Sequence, residues 1–257
     1  MNQLIEETKV DISKISAWTI LEDNGFSSRV SQLKWHIDDD HRLLRYQWAD
    51  KYKDMPDEYW RRVVFTYESL ILGNPYKQRY WVTDEMEVPF TDVDRWQESV
   101  MVWGCIPWNG TSILEVVNGT MMTPKHLDIL KRRLLRNLPM LCPKNVRGRH
   151  SKPLIFQQDG ASVHRADDVK RYFEERGIEV LPWPPRSPDL NLIETVWAEL
   201  KAKLKSSYED PQKLEEDVLN AWNNITVESI RKLYNTMRDR IQAVLAEGEG
   251  QLNFELL

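Results

Sequence analysis

The chain has 257 residues, of which 41% are hydrophobic and 29% charged, and its formal net charge at pH 7 is −5. This length and apolar content predict one large domain with a sizeable core and exclude a mainly disordered chain. No apolar run approaches the ~20 residues that a membrane-spanning helix needs, so no membrane contact is expected. The two cysteines, Cys105 and Cys142, are too few for a disulfide scaffold and fit a reducing compartment.

The first part of the chain predicts two helices and then three strands of an antiparallel sheet. β-Branched and aromatic residues dominate the run from 63 to 72, which is typical of a strand. Asn109 and Gly110 predict a tight hairpin between the next two strands. Residues 73–98 predict an extended loop with one short strand at 80–83. Residues 1–27 predict one short helix and its exit, and a second helix is predicted at 40–53. The predicted strands cover 63–72, 99–106 and 111–117.

From residue 124 onward, short apolar strands alternate with helices. Apolar side chains recur at steps of three and four between Leu190 and Leu204, which predicts one continuous buried helix face. A strand–helix–strand–helix order requires parallel strands joined by right-handed crossovers. The predicted fold class is therefore α/β, with three antiparallel strands followed by parallel βα units. The predicted strands cover 154–158 and 178–183, and the predicted helices cover 124–138, 166–177, 189–205, 211–223 and 227–247.

Charge is distributed unevenly along this sequence. Residues 206–257 hold ten acidic and five basic residues, so this stretch carries the whole net charge. Residues 129–158 contain no acidic residue, and we call this stretch the basic segment. Such a segment is either a nucleic-acid-binding patch that neutralises phosphates or a solvated helix face and loop. Its bases are Lys131, Arg132, Arg133, Arg136, Lys144, Arg147, Arg149 and Lys152.

Two carboxylates lie where a predicted strand ends and a later helix begins. Asp159 follows the strand at 154–158, Glu194 lies in the first turns of the helix at 189–205, and 34 residues separate them. A strand end and a helix start can meet at one edge of such a sheet, and Mg²⁺ prefers oxygen ligands of this kind. The pair is not specific by itself, because two carboxylates at some spacing occur in most proteins.

Longer motifs surround these two residues and are much more specific. The strings FQQDGASVH and PWPPRSPDLNLIETVWAELK resemble the second half of the catalytic domain of mariner-superfamily DDE transposases. SVMVWGCIPWNGT resembles the middle of that domain, and WRRVVFTYES resembles its opening strand. The resemblance covers residues 40–205. It implies an RNase-H-like fold, an ancestry in DNA cleavage and strand transfer, and two divalent ions, Mg²⁺ or Mn²⁺, at three acidic residues.

The sequence departs from this family at the first of the three acids. Within the resemblance Asp159 matches the second acid and Glu194 the third, but Tyr67 stands where the first acid is expected. In a two-metal site that acid bridges both ions. A phenol has a reference pKa of about 10, so it is neutral at pH 7 and a poor ligand for Mg²⁺. We therefore expect no bound cofactor, and Asp159 and Glu194 are the metal ligands if any ion is held.

Two neighbouring residues are candidates for roles in this site. Glu68 is adjacent to Tyr67, but successive strand side chains point to opposite faces, so we do not expect it to replace the missing acid. His164 matches a histidine that follows the family's second acid by five residues. It has either a structural role near a helix start or a role in contacting phosphate or metal ligands.

The chain divides into three predicted parts. Residues 1–60 are interpreted as the remnant of a helix-turn-helix region and a linker helix, which the resemblance implies before the catalytic domain. Residues 61–205 form the RNase-H-like domain, and residues 206–257 form acidic C-terminal helices. Because one helix cannot form a helix-turn-helix unit, sequence-specific DNA binding is not expected.

Three functions are compatible with the sequence. The first is a domesticated, transposase-derived and catalytically inactive scaffold, which binds protein or chromatin and, from the family resemblance, is nuclear. The second is low-specificity DNA binding, and the third is an active metal-dependent transposase or nuclease with a substitute ligand. A protein partner or a homodimer would use aromatic residues of the loop at 73–98, unless these pack on their own domain. The candidate interface residues are Tyr80, Trp81, Phe90 and Trp96.

Overall fold

The computed structural model describes residues 13–30, 37–73, 79–83, 86, 99–110, 112–134, 136–137, 153–205, 207–208 and 210–247. The chain splits into two compact units, a smaller one formed by Met1–Trp35 and Pro75–Gln97 and a larger one formed by His36–Asn74 and Glu98–Leu257. Within the described residues, no helix is both long enough and apolar enough to span a membrane.

The described chain contains seven strands and nine α-helices. The strands are β1 (Ser27–Val30), β2 (Val63–Leu72), β3 (Arg79–Val82), β4 (Ser99–Ile106), β5 (Ile113–Val117), β6 (Ile155–Gln157) and β7 (Glu179–Val180). The helices are α1 (Lys14–Asp23), α2 (Asp39–Tyr52), α3 (Asp57–Trp60), α4 (Thr123–Ile129), α5 (Asp167–Glu174), α6 (Leu192–Lys203), α7 (Pro211–Asn223), α8 (Val227–Asn235) and α9 (Met237–Glu247).

The smaller unit consists of helix α1 and a two-stranded sheet in its described part. Ser13 begins the helix, because its hydroxyl accepts a hydrogen bond from the backbone N–H of Ser16. Strands β1 and β3 pair antiparallel, with Ser27 opposite Val82. Strand β1 was not predicted, because its four residues contain only one apolar side chain and its partner lies far away in sequence.

The larger unit is built on a five-stranded sheet with the order β5-β4-β2-β6-β7. Strands β2, β4 and β5 pair antiparallel, whereas β6 pairs parallel with both β2 and β7. This mixed sheet confirms the predicted fold class, three antiparallel strands followed by parallel βα units. The parallel pairing brings the end of β6 beside the middle of β2, which is the edge where the two carboxylates were expected to meet.

Hydrophobic cores cover both faces of this sheet. Val63 and Phe65 on β2 contribute to one core, whereas Val64 contributes to the other, as strand alternation requires. The first core packs the sheet against α2 and against helices α6 to α9. The second core packs the opposite face against α4 and α5. A residue of β2 therefore meets a different set of helices depending on whether its number is odd or even.

Several element boundaries differ from the prediction. The helix expected at 124–138 changes after α4 into a π-helical turn at Leu130–Leu134. The helix expected at 227–247 is broken into α8 and α9 at Thr236. The hydroxyl of Thr236 donates a hydrogen bond to the Leu233 carbonyl and so competes with the regular helix ladder. The strand expected at 178–183 is reduced to two residues because prolines follow it.

A buried ion pair fixes the loop that precedes α6. The guanidinium of Arg45 on α2 donates to both carboxylate oxygens of Asp189, at 2.7 and 2.5 Å, and also to the Ser187 hydroxyl at 2.7 Å. The side chains of Arg45 and Asp189 are 2% and 0% exposed. Arg240 on α9 donates to the backbone carbonyl of Asp189. These bonds hold the start of α6, and with it Glu194, in one position.

Candidate active site

Tyr67 lies in the middle of β2, directly opposite Gly104 of β4. Its partly buried ring packs against the core on the α6 side of the sheet. Burial, and to a smaller extent the negative charges of Glu194 and Asp159, together raise the pKa of Tyr67 to about 12. The side chain at this position is therefore a neutral phenol that lies near both remaining acids.

Asp159 lies just beyond the end of β6 and is held by two hydrogen bonds. Its Oδ1 accepts from the backbone N–H of Ala161 at 3.0 Å and from Nδ1 of His164 at 2.6 Å. The side chain remains 31% exposed. One carboxylate oxygen of Asp159 is thus committed to the turn that follows it.

Glu194 lies in the first turn of α6, where Asn191 begins the helix. The side chain of Asn191 accepts from the backbone N–H of Ile193 and donates to the Thr66 carbonyl of β2 at 3.2 Å. This contact ties the start of α6 to the strand that carries Tyr67. Burial raises the pKa of Glu194 to about 7, with Lys201 opposing this shift and Asp159 adding to it.

Tyr67, Asp159 and Glu194 are therefore close enough to interact electrostatically. Their donor atoms do not fit a pair of divalent ions. A two-metal site needs a carboxylate that bridges the ions, and a neutral phenol does not supply one. The two remaining carboxylates are those of Asp159 and Glu194. Oδ1 of Asp159 already accepts two hydrogen bonds.

A second group of side chains lies on the opposite side of β2. Glu68 points away from the Tyr67 side, as strand alternation predicts, and its Oε1 lies 3.1 Å from Nε2 of His164. The same oxygen lies 3.6 Å from Nδ1 of His126 on α4. Sequence reasoning missed His126, because only tertiary packing brings α4 beside β2.

The charges in this second group stabilise one another. Burial would raise the pKa of Glu68, but its contacts with His126 and His164 outweigh that effect and lower the pKa to about 2. Burial would lower the pKa of His164, but hydrogen bonds to Asp159 and Glu68 outweigh it and raise the pKa to about 10. His164 thus connects the two sides of the strand, since it contacts both Asp159 and Glu68.

Acidic neighbours neutralise part of the basic segment. Arg132 pairs with Asp128 at 2.7 Å and with Glu115 of β5 at 3.0 Å. Arg133 pairs with the other carboxylate oxygen of Glu115. The acid that the segment lacks in sequence is therefore supplied by a neighbouring strand. Lys131 and Arg136 are exposed, and Lys144, Arg147, Arg149 and Lys152 lie outside the described residues.

The predicted interface aromatics fall in the smaller unit. The Trp81 ring on β3 makes an edge contact with the Trp18 ring of α1, with 4.8 Å between the ring centroids. Trp81 is therefore packed at least in part on its own unit. The side chain of Tyr80 and the residues Phe90 and Trp96 lie outside the described part of the chain.

Comparison with known proteins identifies relatives for most of the chain. The model of the DDE superfamily endonuclease family matches residues 62–215. The Tc3 transposase of Caenorhabditis elegans is 28% identical over 221 residues, which cover 84% of this chain and 64% of that relative. The Tc1 transposase of the same organism is 28% identical over 240 residues, which cover 88% of this chain and 82% of that relative. The chain thus spans less than two thirds of the Tc3 transposase.

Solved structures share the fold. The Mos1 mariner paired end complex with Mn has a TM-score of 0.70 at 19% identity, over 97% of this chain and 74% of that chain. The catalytic domain of Mos1 mariner transposase has a TM-score of 0.65 at 17% identity, over 86% of this chain and 100% of that chain. These matches confirm the predicted RNase-H-like fold. The chain belongs to the DDE superfamily endonuclease family, and its large domain is of the mariner-transposase type.

Proposed function

We propose that this chain is a domesticated, transposase-derived protein that no longer cleaves DNA and acts as a nuclear scaffold for protein or chromatin partners. The observation that carries the proposal is Tyr67, a neutral phenol in the position of the bridging acid. Its ring packs between the sheet and α6 and lies near both Asp159 and Glu194. The phenol removes a ligand, and its ring takes up space that two ions would need.

Within the part of the chain that the structure describes, the acids near Tyr67 do not replace the missing ligand. Glu68 is the nearest acid in sequence, but it lies on the other side of β2 and contacts His126 and His164. Among the described residues, Asp159 and Glu194 are the acids whose charges act on each other beside Tyr67. Both in-line steps of DNA cleavage and transfer need a metal clamp on the attacking and leaving oxygens. Without that clamp the fold can bind but not cut.

Exposed apolar side chains support a protein partner. Helix α2 exposes Leu43, Leu44 and Tyr46 at 55%, 48% and 41%. Leu43 and Tyr46 are three residues apart and so lie on one helix face, and exposed apolar patches of this kind are typical of protein interaction sites. The ion pairs of Arg132 and Arg133 with acids of their own domain argue against DNA binding as the main function, because paired bases release fewer counterions from phosphate.

A nicking assay tests the loss of catalysis. Supercoiled plasmid is incubated with the purified chain and with Mg²⁺ or Mn²⁺, and the Glu194→Ala variant gives the background. We expect wild type and Glu194→Ala to be indistinguishable, and Tyr67→Phe serves as a matched control that keeps the ring. Metal-dependent cleavage by wild type that Glu194→Ala abolishes would overturn the proposal.

A binding comparison tests the scaffold role. Partners captured from nuclear extract by wild type are compared with those captured by the Leu43→Glu, Leu44→Glu double variant. The control is Leu219→Glu on α7, where the side chain is 37% exposed. We expect specific partners to be lost with the double variant and kept with the control. Capture of the same partners by all three proteins would show that α2 is not the interaction surface.

A further inference from the structure

Three side chains from distant parts of the sequence meet on the α4 side of β2. Glu68 comes from β2, His126 from α4, and His164 from the turn between β6 and α5. Each offers one ligand atom, and these three atoms all lie within 4.8 Å of one another. Two imidazoles and one carboxylate form a donor set that Zn²⁺ binds in proteins.

Two of the three separations between these atoms are close to those around a tetrahedral ion. Zinc–nitrogen and zinc–oxygen bonds of ~2.0–2.1 Å place neighbouring ligand atoms about 3.3 Å apart. Oε1 of Glu68 lies 3.1 Å from Nε2 of His164 and 3.6 Å from Nδ1 of His126. The two histidine rings are in contact, with 4.5 Å between their centroids, and their ligand atoms lie no more than 4.8 Å apart.

His126 provides an independent sign of a missing ligand. Its side chain is 0% exposed, and neither ring nitrogen makes a hydrogen bond, since Oε1 of Glu68 lies 3.6 Å from Nδ1 and is too far to accept one. A buried polar group without a partner is unfavourable, and such groups are rare unless an ion or water completes them. A metal ion would supply the partner for one of these nitrogens.

His164 is already oriented as a metal ligand. Its Nδ1 lies 2.6 Å from Oδ1 of Asp159 and its Nε2 is directed to Glu68, so an ion bound at Nε2 would replace the proton that this nitrogen shares with Glu68 and release it to solvent. Ligating histidines in proteins are commonly fixed in this way by a carboxylate on the other ring nitrogen. Asp159 would therefore orient the ligand rather than bind the ion.

We propose that Glu68, His126 and His164 bind one Zn²⁺ ion, with the fourth position taken by water or an added ligand. This site lies on the opposite side of β2 from Tyr67 and does not depend on whether the ancestral site is active. The imidazole donors select zinc or a similar transition metal over Mg²⁺. An ion here would tie β2, α4 and the turn after β6 together.

Metal titration of the full chain tests this proposal. Metal-stripped protein is titrated with Zn²⁺ against a chromophoric chelator, and with Co²⁺ while the visible d–d bands are recorded. We expect one equivalent of either metal and a tetrahedral Co²⁺ spectrum that Zn²⁺ displaces. The absence of stoichiometric binding would overturn the site.

Variants locate the ion. Asp159→Asn removes a residue that only orients a ligand, and it should weaken Zn²⁺ binding by ~10–100-fold. His126→Gln and Glu68→Gln each remove a ligand and should weaken Zn²⁺ binding by more than this. His41→Gln on α2 and Glu194→Gln in the ancestral site should bind as wild type does. Unchanged affinity in His126→Gln, with folding verified by circular dichroism, would also overturn the site.

A spectroscopic measurement on the wild-type protein covers the case in which these variants do not fold. X-ray absorption of the zinc-loaded chain should show two imidazole ligands and a light-atom shell without sulfur. A shell of oxygen atoms alone would place the ion elsewhere and contradict the assignment.

Discussion

Adjacent residues of one strand serve two different environments. Tyr67 lies near the carboxylates Asp159 and Glu194, whereas Glu68 faces the two histidines His126 and His164. Both faces of the sheet at β2 are covered by helices, so the two residues differ in their neighbours and not in the kind of packing around them. The comparison shows that the scaffold can be kept while the chemistry of individual positions changes. The following predictions test what holds each side in place.

The largest effect is expected at the ion pair that positions Glu194. Asp189→Ala removes the carboxylate that pairs with the buried Arg45 guanidinium, and removal of one member of a buried pair costs about 3–5 kcal/mol. Urea unfolding followed by circular dichroism measures this loss. Lys170→Ala removes an exposed pair with Asp167 and is the control, for which we expect no measurable change. A small effect of Asp189→Ala would mean that the loop before α6 is not held by this pair.

The next effect concerns the residue opposite Tyr67. In Gly104→Ala the new Cβ would lie 2.7 Å from the Trp197 ring of α6, so the helix or the ring must move. Overpacking of this kind costs about 1–3 kcal/mol. Gly160→Ala is the matched control, because a Cβ there meets nothing within 4 Å. Equal unfolding free energies for the two variants would contradict the close packing of α6 on the sheet.

A smaller effect is expected from the pH dependence of Glu194. Its pKa is raised to about 7, so between pH ~4.5 and ~7 the folded state holds a proton that the unfolded state has released. Stability therefore falls as the pH rises through this window and is constant above it. Glu194→Gln removes this contribution. At pH 8 we expect its Tm to exceed that of wild type, by about 2–4 °C for each kcal/mol that this carboxyl contributes.

The same variant gives its own control at low pH. At pH 4 the carboxyl of wild type is protonated in both states, so wild type and Glu194→Gln should have nearly equal Tm values. A Tm difference that does not change between pH 4 and pH 8 would show that burial does not raise the pKa of this carboxyl.

The smallest effect is expected in DNA binding by the basic segment. Charge reversal of Arg132 and Arg133 should leave the salt dependence of DNA binding unchanged, because both side chains are already paired with acids. The salt dependence of DNA binding is compared with that of a variant in which the charges of the exposed Lys131 and Arg136 are reversed. Fluorescence anisotropy with duplex DNA at several salt concentrations measures both. A flatter slope for the Arg132 and Arg133 variant would assign these residues to DNA.

Local sequence patterns predicted those helices and strands whose structure depends mainly on their own residues. The β-branched and aromatic run of β2 correctly predicted a strand, and the apolar residues at steps of three and four correctly predicted helix α6. The break at Thr236 was not predicted, because a side-chain hydrogen bond and not composition ends the helix there. The pairing of β1 with β3 was missed because it depends on contacts between distant segments.

The candidate site was predictable only where its residues belong to local sequence motifs. Tyr67, Asp159 and Glu194 were found from motifs that stand in the sequence. His126 was missed, since nothing in its neighbourhood marks it before α4 packs beside β2. The neutralisation of Arg132 and Arg133 was missed as well, because Glu115 lies outside the acid-free stretch and reaches it only through the fold.

The central claim is that the Tyr67 side of β2 no longer holds a pair of divalent ions. Crystals of the wild-type chain soaked in Mn²⁺ and measured for anomalous scattering test it most directly, with Tyr67→Asp crystals as the positive comparison. We predict no pair of manganese peaks between Asp159 and Glu194 in wild type. Two peaks beside the Tyr67 ring, with another acid drawn in to hold them, would contradict this account.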